Sequence, residues 1–302
     1  MNDYFSLVEY IIHLLLPFIL AVWFKRRFKV GWKVFWLGVF VFLIAKAAYF
    51  ASLFGFGLTG ALGSDKLPFS IEINWLISVL VIALLSSVSM ESLRWLGLRL
   101  TKEKGFGAAL MFASGSGGTG LFGNGLWGLL IWISIWAITS NSISTGSTVH
   151  LPFVGYDLTL TNFSATDAAS FSAFDMIVSR ITLMLNNLMP LMLHLGASVL
   201  IWMAVRQKKA IWYFAALFWH FIINGIFVFV TGAGYFPWAI QKVTVPALAV
   251  LTIVAILIGM NIALVVWGYR RSEVIEALEQ EQSALPQTLP DEPVANPILA
   301  EE

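Results

Sequence analysis

Six side chains on three apolar segments have types and spacings that chemistry can use. Glu91 and Arg94 stand three residues apart, so on a helix they share a face and can pair. His220 and Asn224 are four apart, and so are His194 and Ser198. A carboxylate or an imidazole can take a proton from water. Neutral or cationic donors can hold the negative charge that then develops. Taken singly, each His pair is also explained by hydrogen bonding between helices. Glu91 with Arg94 is also explained by an ion pair at the membrane interface, with the Arg snorkelling to water. Facing inward together, the three pairs would build one polar pocket.

Other polar groups interrupt the apolar segments: His13, Lys46, Asn124, Arg180, Asn186, Asn187 and Asn261. A charge at mid-depth in hydrocarbon costs ~2.5–3.5 kcal/mol on insertion scales, so each needs a reason. Lys46 has no partner nearby in sequence and is expected to find a distant acid such as Glu72 or Glu91. Arg180, Asn186 and Asn187 fall on the outer half of their segment, where they can bind the outside loop. Gly115, Gly117, Gly118, Gly120, Gly123, Gly125 and Gly128 follow small-xxx-small spacing, which favours close helix packing. They do not make a phosphate loop, because no Gly-Lys-Ser/Thr follows and no strand precedes.

The elements that carry these residues belong to a membrane. Of 302 residues, 59% are hydrophobic and 12% charged, about half the charged share of a soluble domain. Mean hydropathy is +0.83. Eighteen Lys and Arg with seventeen Asp and Glu are too few to coat a soluble core of this size. A soluble enzyme, a basic-patch nucleic-acid binder and a disordered chain are excluded. With no Cys, disulfides, zinc–thiolate sites and thiol nucleophiles are excluded too.

Seven spanning helices are predicted, over about 4–24, 34–54, 71–93, 106–138, 176–205, 210–230 and 245–267, within a membrane domain of residues 1–271. Asp3 and Glu9 stand where a signal peptide would be basic, so the first helix is expected to stay. Lys and Arg cluster after helices one, three, five and seven, while the alternate loops hold only Lys66 and Lys242. The positive-inside rule then puts the N-terminus outside and the C-terminus in the cytoplasm of a multi-pass inner-membrane protein. Residues 139–175 form the largest outside loop, either with a hairpin near 148–161 or lying on the surface. Residues 272–302 carry four Pro, eight acids and no Lys or Arg, and read as a disordered cytoplasmic tail whose first part, 273–282, can extend helix seven.

The order of these features resembles the YhfC family of intramembrane metalloproteases, related to the CAAX prenyl endopeptidase and bacteriocin-processing membrane peptidases. The resemblance covers about residues 5–270 and implies an all-α, CAAX-protease-like bundle. The family's Phe-Glu-Glu-x-x-Arg-Phe reads Ser89-Met90-Glu91-Ser92-Leu93-Arg94-Trp95 here. Its Gly-x-Gly-His-Gly-Gly-x-Glu-Ala stands as Ala113-Ser114-Gly115-Ser116-Gly117-Gly118-Thr119-Gly120-Leu121. Its Glu-Arg on helix five is Asn186-Asn187, while the following His and Ser persist as His194 and Ser198. Its His-x-x-x-Asn is intact as His220 and Asn224.

In the related peptidases a Glu and a His activate water, and a second His with an Asn binds the oxyanion. The resemblance therefore assigns catalytic positions to Glu91, Arg94, His220 and Asn224, with Met90, Ser116, Gly120, His194 and Ser198 lining the pocket. The base half is gone, since Met90 binds no proton and Ser116 is a poor base. Losing a general base commonly costs 10²–10⁴-fold in rate. Glu91, one residue along, points ~100° away from the expected direction. Glu91, His194 and His220 make a two-His-one-carboxylate set for a divalent metal, short of the ligand that Ser116 replaces; no cofactor is otherwise required. The reading is a catalytically impaired homologue that binds a membrane peptide or lipid-modified segment in the bilayer. The alternatives are a working peptidase using Glu91 and His220, or a component of a transport system using Lys46, Arg180, Asn186 and Asn187. Convergence of Glu91, Ser116, His194 and His220 is the geometric requirement of the first two.

Overall fold

A computed structural model describes residues 4–55, 71–103, 105–140, 148–151, 156–159, 173–231 and 247–284. Seven helices appear in them: α1 (Tyr4–Phe28), α2 (Trp32–Gly55), α3 (Ile71–Leu100), α4 (Phe106–Ser140), α5 (Ala173–Gln207), α6 (Ala210–Thr231) and α7 (Ala247–Ala284). The fold is that of an all-α, multi-pass membrane protein. One short addition lies between α4 and α5. Strands β1 (Thr148–Leu151) and β2 (Tyr156–Thr159) pair antiparallel, Thr148 opposite Thr159 and Leu151 opposite Tyr156. Of the two arrangements open for this stretch, it takes the hairpin.

Six of the seven helices are long and apolar enough to cross a bilayer by length and composition. α4 is the helix that carries the glycine run. The helix packs against α1, α2 and α5, and Leu110, Met111, Phe112 and Ala113 are almost wholly enclosed. A helix whose surroundings are protein rather than lipid needs small side chains more than apolar ones. α5 is the second central element, packed on α3, α4, α6 and α7. The main core is built largely from these two helices with α1 and α2 around them, and a smaller cluster joins Met189 and Leu193 of α5 to Ile223 of α6 and Leu257 of α7.

The glycine run does what close packing requires. A Cβ on Gly38 of α2 would collide with the Phe112 carbonyl oxygen of α4, and a Cβ on Gly115 of α4 would collide with the Phe35 carbonyl oxygen of α2. The two backbones therefore meet face to face. On another side of α4, a Cβ at Gly117 would lie 2.8 Å from the His194 Cβ and 2.9 Å from the Leu191 Cα of α5. The absence of a side chain at 117 sets how near α5 brings His194.

Two helix ends differ from the expected boundaries in an informative way. α3 continues past Leu93 to Leu100, because Arg94 is an interior residue and not the first residue of a basic loop. α7 continues past Trp267 through Arg270, Arg271 and the acidic stretch 273–282 to Ala284; residues 285–302 lie outside the described residues. The tight α1–α2 and α5–α6 connections each place a Lys in the left-handed region, Lys29 at φ 56° and Lys208 at φ 55°, the position that a Gly usually takes after a helix.

Gly117→Val must push α5 off α4 and is expected to lower stability by about 1–3 kcal/mol. Gly123→Ala, where a Cβ meets nothing within 4 Å, is expected to be neutral. Thermal unfolding of the two purified variants in detergent checks the contrast, and equal behaviour would remove the packing role given to Gly117.

Candidate functional site

The four side chains expected to converge do so. α3 supplies Glu91 and Arg94, α4 Ser116, α5 His194 and α6 His220, and all five residues are buried. The Arg94 Nη1 donates to both oxygens of Glu91, at 2.7 and 2.8 Å. The His220 Nδ1 stands 2.5 Å from the Glu91 Oε1. The Arg94 Nη2 contacts the His194 Nδ1. Ser116 Oγ lies 3.4 Å from that same nitrogen and donates to the Ala113 carbonyl at 3.3 Å. The two imidazole rings are 5.8 Å apart between centroids.

The donors and acceptors fix the roles. A guanidinium only donates, so the His194 Nδ1 accepts, and His194 is a neutral imidazole with its proton on Nε2. A carboxylate only accepts, so the His220 Nδ1 carries the proton that it shares with Glu91. Glu91 thus receives three hydrogen bonds from two side chains. The order is His220, Glu91, Arg94, His194, a chain running from α6 through α3 to α5.

Several expectations need correcting. Arg94 does not snorkel: it is fully buried, because its partner Glu91 is buried beside it and a separated pair would leave each ion uncompensated in low dielectric. Lys46 does not pair with Glu91, whose ionic partner is Arg94. Its ammonium lies 5.6 Å from the ring centres of both Phe42 and Tyr49, and Phe42 in turn packs edge-on against His194 at 5.8 Å. Glu72 and Arg180 have side chains outside the described residues. Asn187 has a partner among the described residues: its Nδ2 donates to the carboxylate of Glu9 on α1 at 3.0 Å, with the His13 Nε2 3.9 Å from the same oxygen.

The remaining pocket residues are less engaged. Asn224 is half-buried, one turn beyond His220, and no hydrogen bond joins it to the network. Ser198 is fully buried one turn beyond His194, and among the described residues its hydroxyl has no partner. Met90 is buried but adds no polar atom. Gly120 faces the Phe42 ring, 3.4 Å from where a Cβ would stand. Asn261, fully buried, serves packing: it accepts from the Trp219 indole at 3.0 Å and donates to the Leu257 carbonyl at 2.8 Å.

One polar cluster, Glu9 with His13 and Asn187, was not grouped by sequence reasoning. Its only local signal was the four-residue spacing of Glu9 and His13 within an apolar helix. The link to Asn187 spans 178 residues and leaves no trace in spacing.

A family model for the YhfC intramembrane metalloproteases matches residues 12–245. The chain belongs to this family. No curated protein and no solved structure matches it. The YhfC description implies a metal, and the residues here do not fit one. The guanidinium of Arg94 lies between Glu91 and His194 and binds both, so a cation already holds the place and the lone pairs that a metal would need. Among the described residues no group of three His, Asp or Glu side chains is arranged to hold a metal ion.

Arg94→Met leaves the Glu91 carboxylate buried without its cation and is expected to cost about 3–5 kcal/mol, whereas Glu91→Leu combined with Arg94→Met is expected to cost clearly less. A double-mutant cycle on thermal unfolding reads the difference; additive losses would mean that the two side chains do not act as a pair.

Proposed function

We propose that this YhfC-family protein is catalytically impaired and binds a membrane peptide or a lipid-modified segment without cutting it. The observation that carries the reading is the state of Glu91. Its two oxygens already accept three hydrogen bonds from the Arg94 guanidinium and the His220 imidazole, so most of its about four acceptor sites are taken before any water arrives. The neighbouring position that the family resemblance assigns to a second Glu is Met90, and Ser116 stands where a His is expected. Ser116 is within 3.4 Å of His194, but a hydroxyl there cannot accept a proton at neutral pH as an imidazole does.

What the site retains suits holding rather than hydrolysis. The His194 Nε2–H, the Ser198 hydroxyl and the half-buried Asn224 are neutral donors. Such donors stabilise a carbonyl oxygen in a peptide whether or not a nucleophile ever arrives. The basic residues that close α1, α3 and α5, with Arg270 and Arg271 within α7, support a cytoplasmic placement of these ends, with the N-terminus outside. A specific contact also supports an alternative, a working peptidase: the 2.5 Å approach of His220 to Glu91 is the pairing that a carboxylate–imidazole base would need.

Reconstitution with a panel of membrane-spanning and lipidated peptides separates the two. The expected result is saturable crosslinking of a peptide to the wild type, with no cleavage in the wild type, Glu91→Ala or His220→Ala. Cleavage by the wild type that either substitution lowers by about 10²-fold or more would overturn the proposal in favour of the working peptidase.

A further inference from the structure

A cavity of about 1130 Å³ lies between α3, α4 and α5 and the start of α6. It does not include Glu91, Arg94, His194 or His220 among its walls, so it is separate from the buried network. Its size exceeds the ~300–1,000 Å³ usual for small-molecule pockets. Its walls divide into two kinds. One part is apolar, with Leu96, Leu98, Ala108, Ala109, Trp202 and Phe214. Of these, Leu96 and Phe214 are strongly exposed on membrane helices and face surroundings that must be hydrocarbon. The other part is cationic, with Arg99, Arg206, Lys208 and Lys209 at the helix ends.

The cationic end has three features of a built site. Only one acid, Glu103, lies in the lining, and its two oxygens accept from the Gly31 amide at 3.1 Å each. Its charge is thereby drawn toward the start of α2. Arg99 stacks over the Trp95 ring at 5.0 Å, a contact that holds its guanidinium at the rim. Lys208 occupies the left-handed turn between α5 and α6, a conformation that is costly for a side-chain-bearing residue and that fixes the path of Lys208 and Lys209 past the opening. On the apolar side, the Ser92 and Tyr213 hydroxyls share a hydrogen bond of 2.8 Å.

We propose that this cavity binds an anionic phospholipid, its phosphate among Arg99, Arg206, Lys208 and Lys209 and an acyl chain along the Leu96, Trp202 and Phe214 wall. An apolar wall open to hydrocarbon beneath a cationic rim fits an amphiphile with a negative head. A free phosphate would leave the apolar wall unused. A soluble acidic peptide would have to enter hydrocarbon. Basic residues near a membrane surface each favour an anionic headgroup about fivefold. The site does not depend on whether the Glu91 network cuts peptides.

Native mass spectrometry of the full-length protein in detergent, with dioleoyl-phosphatidylglycerol or dioleoyl-phosphatidylcholine added, tests it. The wild type is expected to retain the phosphatidylglycerol about tenfold more tightly or better. Arg206→Gln with Lys209→Gln is expected to abolish the preference. Lys25→Gln with Arg26→Gln, which removes the same charge outside the cavity, is expected to keep it. No preference in the wild type, or equal loss in both double variants, would overturn the site as diffuse attraction to a basic surface. Displacement of the lipid by millimolar inorganic phosphate would overturn it in favour of a simple phosphate site.

Discussion

Burial of Glu91 and Arg94 as a pair is the constraint from which the centre of this bundle follows. Two ions in low dielectric are tolerable only when each is matched by the other and by hydrogen bonds. Arg94 gives its Nη1 to both Glu91 oxygens and its Nη2 to His194, and His220 adds a third hydrogen bond to Glu91. Because those partners lie on α5 and α6, the pair fixes how both helices stand against α3. The third condition is close approach. α5 can present His194 at the network only because Gly117 of α4 has no side chain where the His194 Cβ sits.

The same bonds that make the pair stable engage the atoms that chemistry would use. A general base needs a free lone pair within reach of a water, and a metal ligand needs one directed at an empty position. Arg94 binds both Glu91 oxygens and the His194 Nδ1, so stability of the network and reactivity of its carboxylate draw on the same atoms. A bound segment that drew Arg94 away would release Glu91, but would have to supply an anion of its own to the guanidinium.

Much of the fold could be read from the chain, because spans are set by bilayer thickness. The faces were legible as well: Glu91 with Arg94, His194 with Ser198 and His220 with Asn224 are each one helical turn apart. Depth was less so. Arg94 precedes Arg99 and Lys102, and a charge-counting rule groups all three with the interface. Only the side chain's partners show that Arg94 belongs to the interior and that α3 runs on to Leu100. α4 was read correctly as a packing helix from its glycines, yet its central place among α1, α2 and α5 depends on contacts that periodicity does not encode. Lys46 shows a similar limit. A cation in an apolar segment invites an acid as partner; among the described residues it lies by the faces of Phe42 and Tyr49 and not by Glu91, a weaker but sequence-local contact.

The two buried carboxylates among the described membrane helices each have polar partners. Glu91 has Arg94 and His220, and Glu9 has Asn187 with His13 close by. The positions where the family resemblance expects further charges hold Met90, Ser116, Gly120, Asn186 and Asn187, all neutral. An added Glu at position 90 would need a second cation in the same enclosed space, and Arg94 is already divided between Glu91 and His194. A His at position 116 would compete with Arg94 for His194 from 3.4 Å or less. At position 116, then, a charge could be added only at the expense of the contacts by which Arg94 joins Glu91 of α3 to His194 of α5.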